Sequence, residues 1–329
     1  MRQQEGKSVG ASIGIGLWGQ NGHQIHRILE QYPALNLVAY GAFEPDVAAQ
    51  LAEAYPTAAS CDTYEGLLKV PGLQMVSLCS RFRDEQTGHA IAALDAGIHV
   101  YAEKPCATSV ADLDRLLAAV ARSTACFHEM AGTVFEQPYW SVRQLVHDGK
   151  IGEVVQVLAQ KSYPYFTGRP TSERMDGGLI AQNGVHAMRF IEHLTGLKAT
   201  SIQAIQTALG EDRSGSDLQM ACSLMGTLSN GGIFSAIANY LNPRGFGGWG
   251  NEMVRIFGTK GTIEVCDGGL RTRLIVGEED HGTIDTSEPA PSWLQIVIDH
   301  ILGTQEPPIS LEVELHPTRM VLQAREKCS

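Results

Sequence analysis

Short apolar runs alternate with helically spaced stretches through the first 130 residues. Ala11 to Trp18 alternates small and apolar residues like a central strand and runs into Gly19-Gln20-Asn21-Gly22. A helical pattern carried by Ile25, Ile28 and Leu29 follows. A second strand spans Asn36 to Phe43 and a helix Val47 to Tyr55, with a third strand at Leu73 to Cys79 and a helix from His89 to Ala96. Gly97 closes that helix as a C-cap, and Ile98 to Ala102 reads as a buried strand. Ser109 caps a further helix ending near Ser123, and Ala125 to Met130 is a last strand-like segment. This alternation predicts an α/β fold with a doubly wound parallel sheet, and the domain border falls where it ends, giving domains 1–127 and 128–329.

The rhythm then changes. Pro138 to His147 carries apolar residues at helical spacing, Ile151 to Ala159 alternates as a strand, and Gly184 to Gly196 is helical. Ser201 to Thr207, Leu218 to Thr227, Gly232 to Tyr240, Met253 to Phe257, Gly261 to Cys266 and Leu270 to Ile275 read as antiparallel strands of a second sheet. Glu278 to Pro291 is expected as a polar surface connection, with helices at Trp293 to Leu302 and His316 to Cys328. One face of such a sheet packs on its own helices and the other must be polar or covered, which predicts a homodimer or homotetramer.

Chemistry concentrates at two strand ends. Strand, glycine turn and helix are the context of a dinucleotide fingerprint, in which glycines let the backbone approach a pyrophosphate. Gly14, Gly16 and Gly19 spell the motif literally; Gly19 and Gly22 fit better as its second and third glycines, with Leu17 in the first position. Close packing of a strand and turn explains the same glycines without a ligand. After the second strand, Ala42 stands where an acid normally meets the ribose; Glu44, two positions on, either substitutes or caps the next helix. No Arg or Lys follows to hold a 2′-phosphate, which favours NAD over NADP. The Ile98 to Ala102 strand delivers Glu103-Lys104-Pro105 to its carboxyl end, where ligands of open α/β sheets sit.

Composition narrows the classes. The 329 residues are 43% hydrophobic with a net charge of -11, which argues against nucleic acid or an anionic membrane as partner. No apolar run approaches a membrane span, and the polar stretch Met1 to Val9 is expected to be a frayed leader and no signal peptide. Seven scattered cysteines without metal-ligand spacing read as reduced thiols of a cytoplasmic protein, with no metal site.

Several motifs in order resemble the glucose–fructose oxidoreductase/inositol dehydrogenase (Gfo/Idh/MocA) family: Ala93 to Val100 leading into Glu103-Lys104-Pro105, Gly149 to Val154, Gly177-Gly178 through Gly184-Val185-His186-Ala187, Phe257 to Thr262, and Ala324-Arg325-Glu326. The resemblance implies a Rossmann domain binding NAD or NADP and a C-terminal α/β domain with a large, mostly antiparallel sheet. It implies that Lys104 is the active-site lysine and that His186 exchanges a proton with a substrate hydroxyl. The expected function is hydride transfer between the nicotinamide and a secondary alcohol of a sugar, polyol or related small molecule. Gln182 and Arg189 replace both acids of the usual Asp-x-Gly-x-His-x-x-Asp, and Gln86 stands in place of a usual histidine. Those departures keep open a non-catalytic ligand-binding or regulatory protein, and a redox-neutral NAD-dependent enzyme. The candidate catalytic residues are Lys104, His186 and Gln182. The candidate cofactor contacts are Gly16, Trp18, Gly19, Gln20, Asn21, Gly22, Glu44, Ser80, Arg81, Glu103 and Lys104.

Overall fold

The computed structural model describes residues 12–166 and 168–328; the leader and the first residue of the predicted opening strand lie outside that range. Six strands, β1 (Ile13–Trp18), β2 (Leu35–Gly41), β3 (Ala59–Cys61), β4 (Met75–Leu78), β5 (His99–Ala102) and β6 (Phe127–Glu129), form an all-parallel sheet in the order β3-β2-β1-β4-β5-β6. The helices α1 (Pro45–Ala54), α2 (Tyr64–Leu67), α3 (Arg83–Asp95) and α4 (Val110–Arg122) connect them. β1 and β4 are buried along their whole length, as strands covered on both faces must be. The chain winds outward from β1 to β3 and then returns to β4 on the other side. This reversal leaves a crevice at the carboxyl ends of β1 and β4.

Two local signals hold. The Ile98 amide donates to the Ala93 carbonyl across Gly97 at φ +73°, a Schellman-type stop, and the Ser109 hydroxyl accepts from the Asp112 amide. The helix expected after the glycine turn is absent. Two 3₁₀ turns, Ile25–Arg27 and Leu29–Gln31, take its place. The buried Gln24 amide explains the change: it donates to the Gly19 and Ser77 carbonyls and its oxygen receives the Ile25 amide, pinning the chain into the β1–β4 crevice. Ile25 and Leu29 still reach the core, so the apolar spacing is satisfied without an α-helix.

The second half contains α5 (Tyr139–His147), β7 (Val154–Ser162), α6 (Leu179–Gln182), α7 (Gly184–Thr195), β8 (Gln203–Thr207), β9 (Ala221–Thr227), β10 (Ile233–Asn239), β11 (Asn251–Gly258), β12 (Gly261–Cys266), β13 (Arg271–Val276), β14 (Glu279–Gly282), α8 (Trp293–Ile301) and α9 (Leu311–Lys327). Its eight strands run β14-β13-β12-β11-β7-β10-β9-β8, all antiparallel neighbours except β10 on β7. That parallel pair follows because β7 enters long before the β8–β10 meander and is inserted between β11 and β10. Two expectations are corrected here. The polar connection after Ile275 contains the edge strand β14, whose exposed charged residues suit an edge. The last helix begins at Leu311, where the Ser310 hydroxyl caps it, and Pro317 lies inside it nearly two turns later. Leu224, Phe234, Ala236, Val254 and Ile256 fill the inner face of the sheet. Val155, Ile205, Met225, Ile233 and Ile237 stand exposed on its strands.

Candidate active site

β5 fixes Glu103 and Lys104 at the centre of the molecule, both about 1% exposed. Glu103 turns its carboxylate to the glycine turn, accepting from the His23 amide at 2.7 Å and lying 2.9 Å from His23 Nδ1. Burial alone would raise its pKa; His23, then Lys104 and Arg83, outweigh that and hold it well below the usual carboxylate range. Lys104 donates through Nζ to the main-chain carbonyl of Gln182 at 2.8 Å, with Glu103 Oε1 4.0 Å away. Burial lowers its pKa to about 8 against the pull of Glu103.

His186 sits in the first turn of α7, 8% exposed. Its Nδ1 is 2.9 Å from the Thr133 hydroxyl, and its Nε2 is buried with no partner among the described residues. Burial first, then the charges of Lys104, Lys161 and Arg189, push its pKa well below the usual value. The Tyr163 ring neighbours both groups, with Lys104 Nζ 5.9 Å and the His186 ring 6.2 Å from its centre.

A cleft of about 620 Å³ opens over this point, walled by His23 from the glycine turn and by Thr133, Glu136, Tyr163, His186 and Trp293. Lys104 is buried behind that wall and is not among the residues lining the cleft. Gln182 corrects an expectation. Its side chain meets the Tyr240 hydroxyl at 3.4 Å; its carbonyl serves Lys104, and Thr133, which no sequence signal marked, holds His186. Arg189, in place of the second acid, makes an ion pair with Glu129, both wholly buried. Gln86 clamps the Glu103 and Pro105 carbonyls from below and faces no ligand space.

The glycine turn fits a dinucleotide pyrophosphate. Gly19 and Gly22 have φ +73° and +121°, and the amides of Gln20 and Gly22 donate to no protein acceptor among the described residues. The exposed Arg81 adjoins them, its carbonyl held by the Asn21 side chain. A Cβ on Gly22 would lie 2.6 Å from the Glu103 carboxyl carbon, and one on Gly19 2.1 Å from the Cys79 carbonyl oxygen. Close packing therefore requires both glycines, independently of a ligand. Other candidates are placed away from the turn's open side. Gly16 lies within β1 under Leu73 and Leu67, Trp18 packs on Tyr64 and His89, and the Ser80 hydroxyl is 2.9 Å from His89 Nδ1. Glu44 occupies the N-cap position of α1 without a side-chain cap bond; Gln20 holds its amide at 3.0 Å and its carboxylate is exposed.

A parallel sheet with a glycine turn at its switch point, joined to a histidine-bearing cleft on a second sheet, defines a two-part dinucleotide-binding protein. The comparisons agree: a model described as an oxidoreductase family with NAD-binding Rossmann fold matches residues 11–130, and one described as the GFO/IDH/MocA C-terminal domain matches 139–264. The chain belongs to the Gfo/Idh/MocA family, and its first half is an NAD-binding Rossmann domain. It is 30% identical over 149 residues to an inositol 2-dehydrogenase of Gluconacetobacter diazotrophicus, covering 45% of this chain and 43% of that one. It is 21% identical over 217 residues to a myo-inositol 2-dehydrogenase of Thermotoga maritima, covering 65% and 62%. The chain thus spans about half the length of the curated relatives it matches. Its fold superposes on a levoglucosan dehydrogenase, solved with NADH and levoglucosan, with a TM-score of 0.78 at 16% identity, covering 96% and 98%.

Proposed function

We propose that the protein is an NAD-dependent oxidoreductase that interconverts a secondary alcohol and a ketone on a sugar, polyol or related small molecule bound in the cleft. The carrying observation is the bare, buried Nε2 of His186 in the cleft wall, beside the cationic Lys104, whose neighbour Glu103 touches the glycine turn. The glycine turn, with Arg81, would hold the pyrophosphate, and a bound nicotinamide supplies the hydride acceptor. His186 takes the hydroxyl proton at Nε2. The Lys104 charge stabilises the oxygen as negative charge develops on it. Residues 1–127 serve the cofactor and 128–329 the substrate. Names of relatives acting on inositol, and a neighbour solved with levoglucosan, support a ring polyol as the substrate class. A ligand-binding protein without turnover is the second reading, favoured by the Lys104 ammonium being committed to the Gln182 carbonyl.

The two pKa shifts set the pH profile. His186 acts when neutral, so kcat/KM should stay level down through the usual histidine range and fall only well below it. Lys104 acts when charged, so activity should fall as pH rises through about 8. A rate profile with its acid limb at an ordinary histidine pKa would contradict this assignment.

NADH should bind more tightly than NADPH. The β2 end offers no cation to a 2′-phosphate, and the exposed Glu44 carboxylate repels one. Calorimetric titration with both cofactors checks it; equal or tighter NADPH binding would overturn the preference.

The exposed apolar row Val155, Ile205, Met225, Ile233 and Ile237 supports a homodimer or homotetramer joined through this sheet face. Light scattering should give a multiple of 35.6 kDa, and Met225→Glu should shift it toward the monomer. The seven unpaired cysteines support a reducing, cytoplasmic setting.

A further inference from the structure

We propose that Thr133 is the positioning residue of the site: its hydroxyl accepts the Nδ1 proton of His186 and thereby leaves Nε2 as a bare lone pair. This rests on the oxidoreductase reading above for its role in turnover, though not for the tautomer itself.

A neutral imidazole carries one N–H, and the group bonded to the other nitrogen decides where it sits. Among the described residues His186 has a single hydrogen-bonding side chain, Thr133, at Nδ1 and 2.9 Å. Among the described residues nothing accepts at Nε2, so a proton there would be a buried, unsatisfied donor. Lys104, Lys161 and Arg189 all bear on this ring and, after burial, keep it neutral rather than cationic.

The hydroxyl is rigidly placed. Thr133 sits in the 3₁₀ turn Gly132–Val134 directly after β6. Val134 on its far side is fully buried, and the Phe135 ring stacks 4.7 Å from Trp293 and 5.8 Å from Trp140. A hydroxyl fixed in this way orients the ring without adding charge. A carboxylate in the same place would instead raise the histidine pKa. The site thus keeps a neutral His186 at the cost of a weaker base.

Long-range proton–nitrogen NMR on protein labelled with ¹⁵N-histidine reads the tautomer directly, with His186→Gln identifying the signal. The wild type should show a protonated Nδ1 and an unprotonated Nε2. Thr133→Ser should keep that pattern, and Thr133→Val should lose it. With a turnover assay in hand, Thr133→Val should lower kcat about tenfold at nearly constant KM, the worth of one neutral hydrogen bond, and Thr133→Ser should restore it. A protonated Nε2 in the wild type, which needs no variant to fold, would overturn the proposal, as would an unchanged signal in Thr133→Val. An unprotonated Nε2 in a protein that oxidises no alcohol would retire the oxidoreductase reading and leave the tautomer assignment standing.

Discussion

Lys104→Ala is expected to cut turnover by roughly 10²–10³-fold, the range for losing one preorganised charge at a developing oxyanion, while NADH affinity changes little. The separation follows from which side chain touches what. The glycine turn is held by Glu103, through the His23 amide and ring, and Lys104 makes no contact with it. Glu103 keeps the His23 contacts in the variant, so its carboxylate is not left orphaned. A second effect marks the cause. After burial itself, Lys104 is the largest influence depressing the His186 pKa, so its removal should raise that pKa and move the acid limb of the rate profile toward the ordinary histidine value. Calorimetry with NADH and rate measurements across pH separate these effects. Equal losses of cofactor binding and turnover would place Lys104 in the cofactor site instead.

The largest effect on stability is expected at Arg189. Its guanidinium and the Glu129 carboxylate are both fully buried, and Glu129 also receives the Cys106 amide at 2.7 Å and the Thr318 hydroxyl at 2.8 Å. Arg189→Met leaves that carboxylate without its cation, which costs about 3–5 kcal/mol. The melting temperature should fall on the order of 10 °C. Arg189→Asp restores the acid common in the family and should be worse, because two carboxylates would share one dry site. Glu129→Gln together with Arg189→Met should recover much of the loss, since no uncompensated charge remains. Differential scanning calorimetry of these variants decides it. A melting temperature unchanged in Arg189→Met would show that Glu129 is neutralised by other means.

Most of both sheets was legible because the signal is local; the short strands β3 and β14, which carry no apolar run, were not. Apolar runs, the Gly97 stop and the Ser109 cap each act within a few residues, and each is found where the pattern puts it. Lys104 and His186 were legible through motifs whose spacing the family shares. What the sequence hid is long-range and polar. Thr133 meets His186 across 53 positions and Glu129 meets Arg189 across 60, and neither pair leaves a periodic trace. The missing helix after Gly22 is of the same kind. Ile25 and Leu29 have helical spacing, yet the Gln24 amide, bonded to Ser77 53 residues away, decides the backbone. The sequence pattern starts the last helix at His316, whereas the Ser310 cap starts it at Leu311, five residues earlier. Gln182 and Arg189 looked like losses from an active site. The structure shows Arg189 as half of a core ion pair and Gln182 as the residue whose carbonyl holds Lys104.

In the proposed reaction hydride leaves a carbinol carbon for the nicotinamide and the proton leaves its hydroxyl for His186. The reaction is tested most directly by isotope transfer from ring sugars and polyols deuterated at their carbinol positions, incubated with NAD and the wild-type protein. Deuterium is expected on C4 of the nicotinamide for at least one ring polyol, and less of it by roughly 10²-fold or more when Lys104→Ala or His186→Ala replaces the wild type over the same period. NAD that binds but gains no deuterium from any of them, or gains it equally with all three proteins, would contradict it.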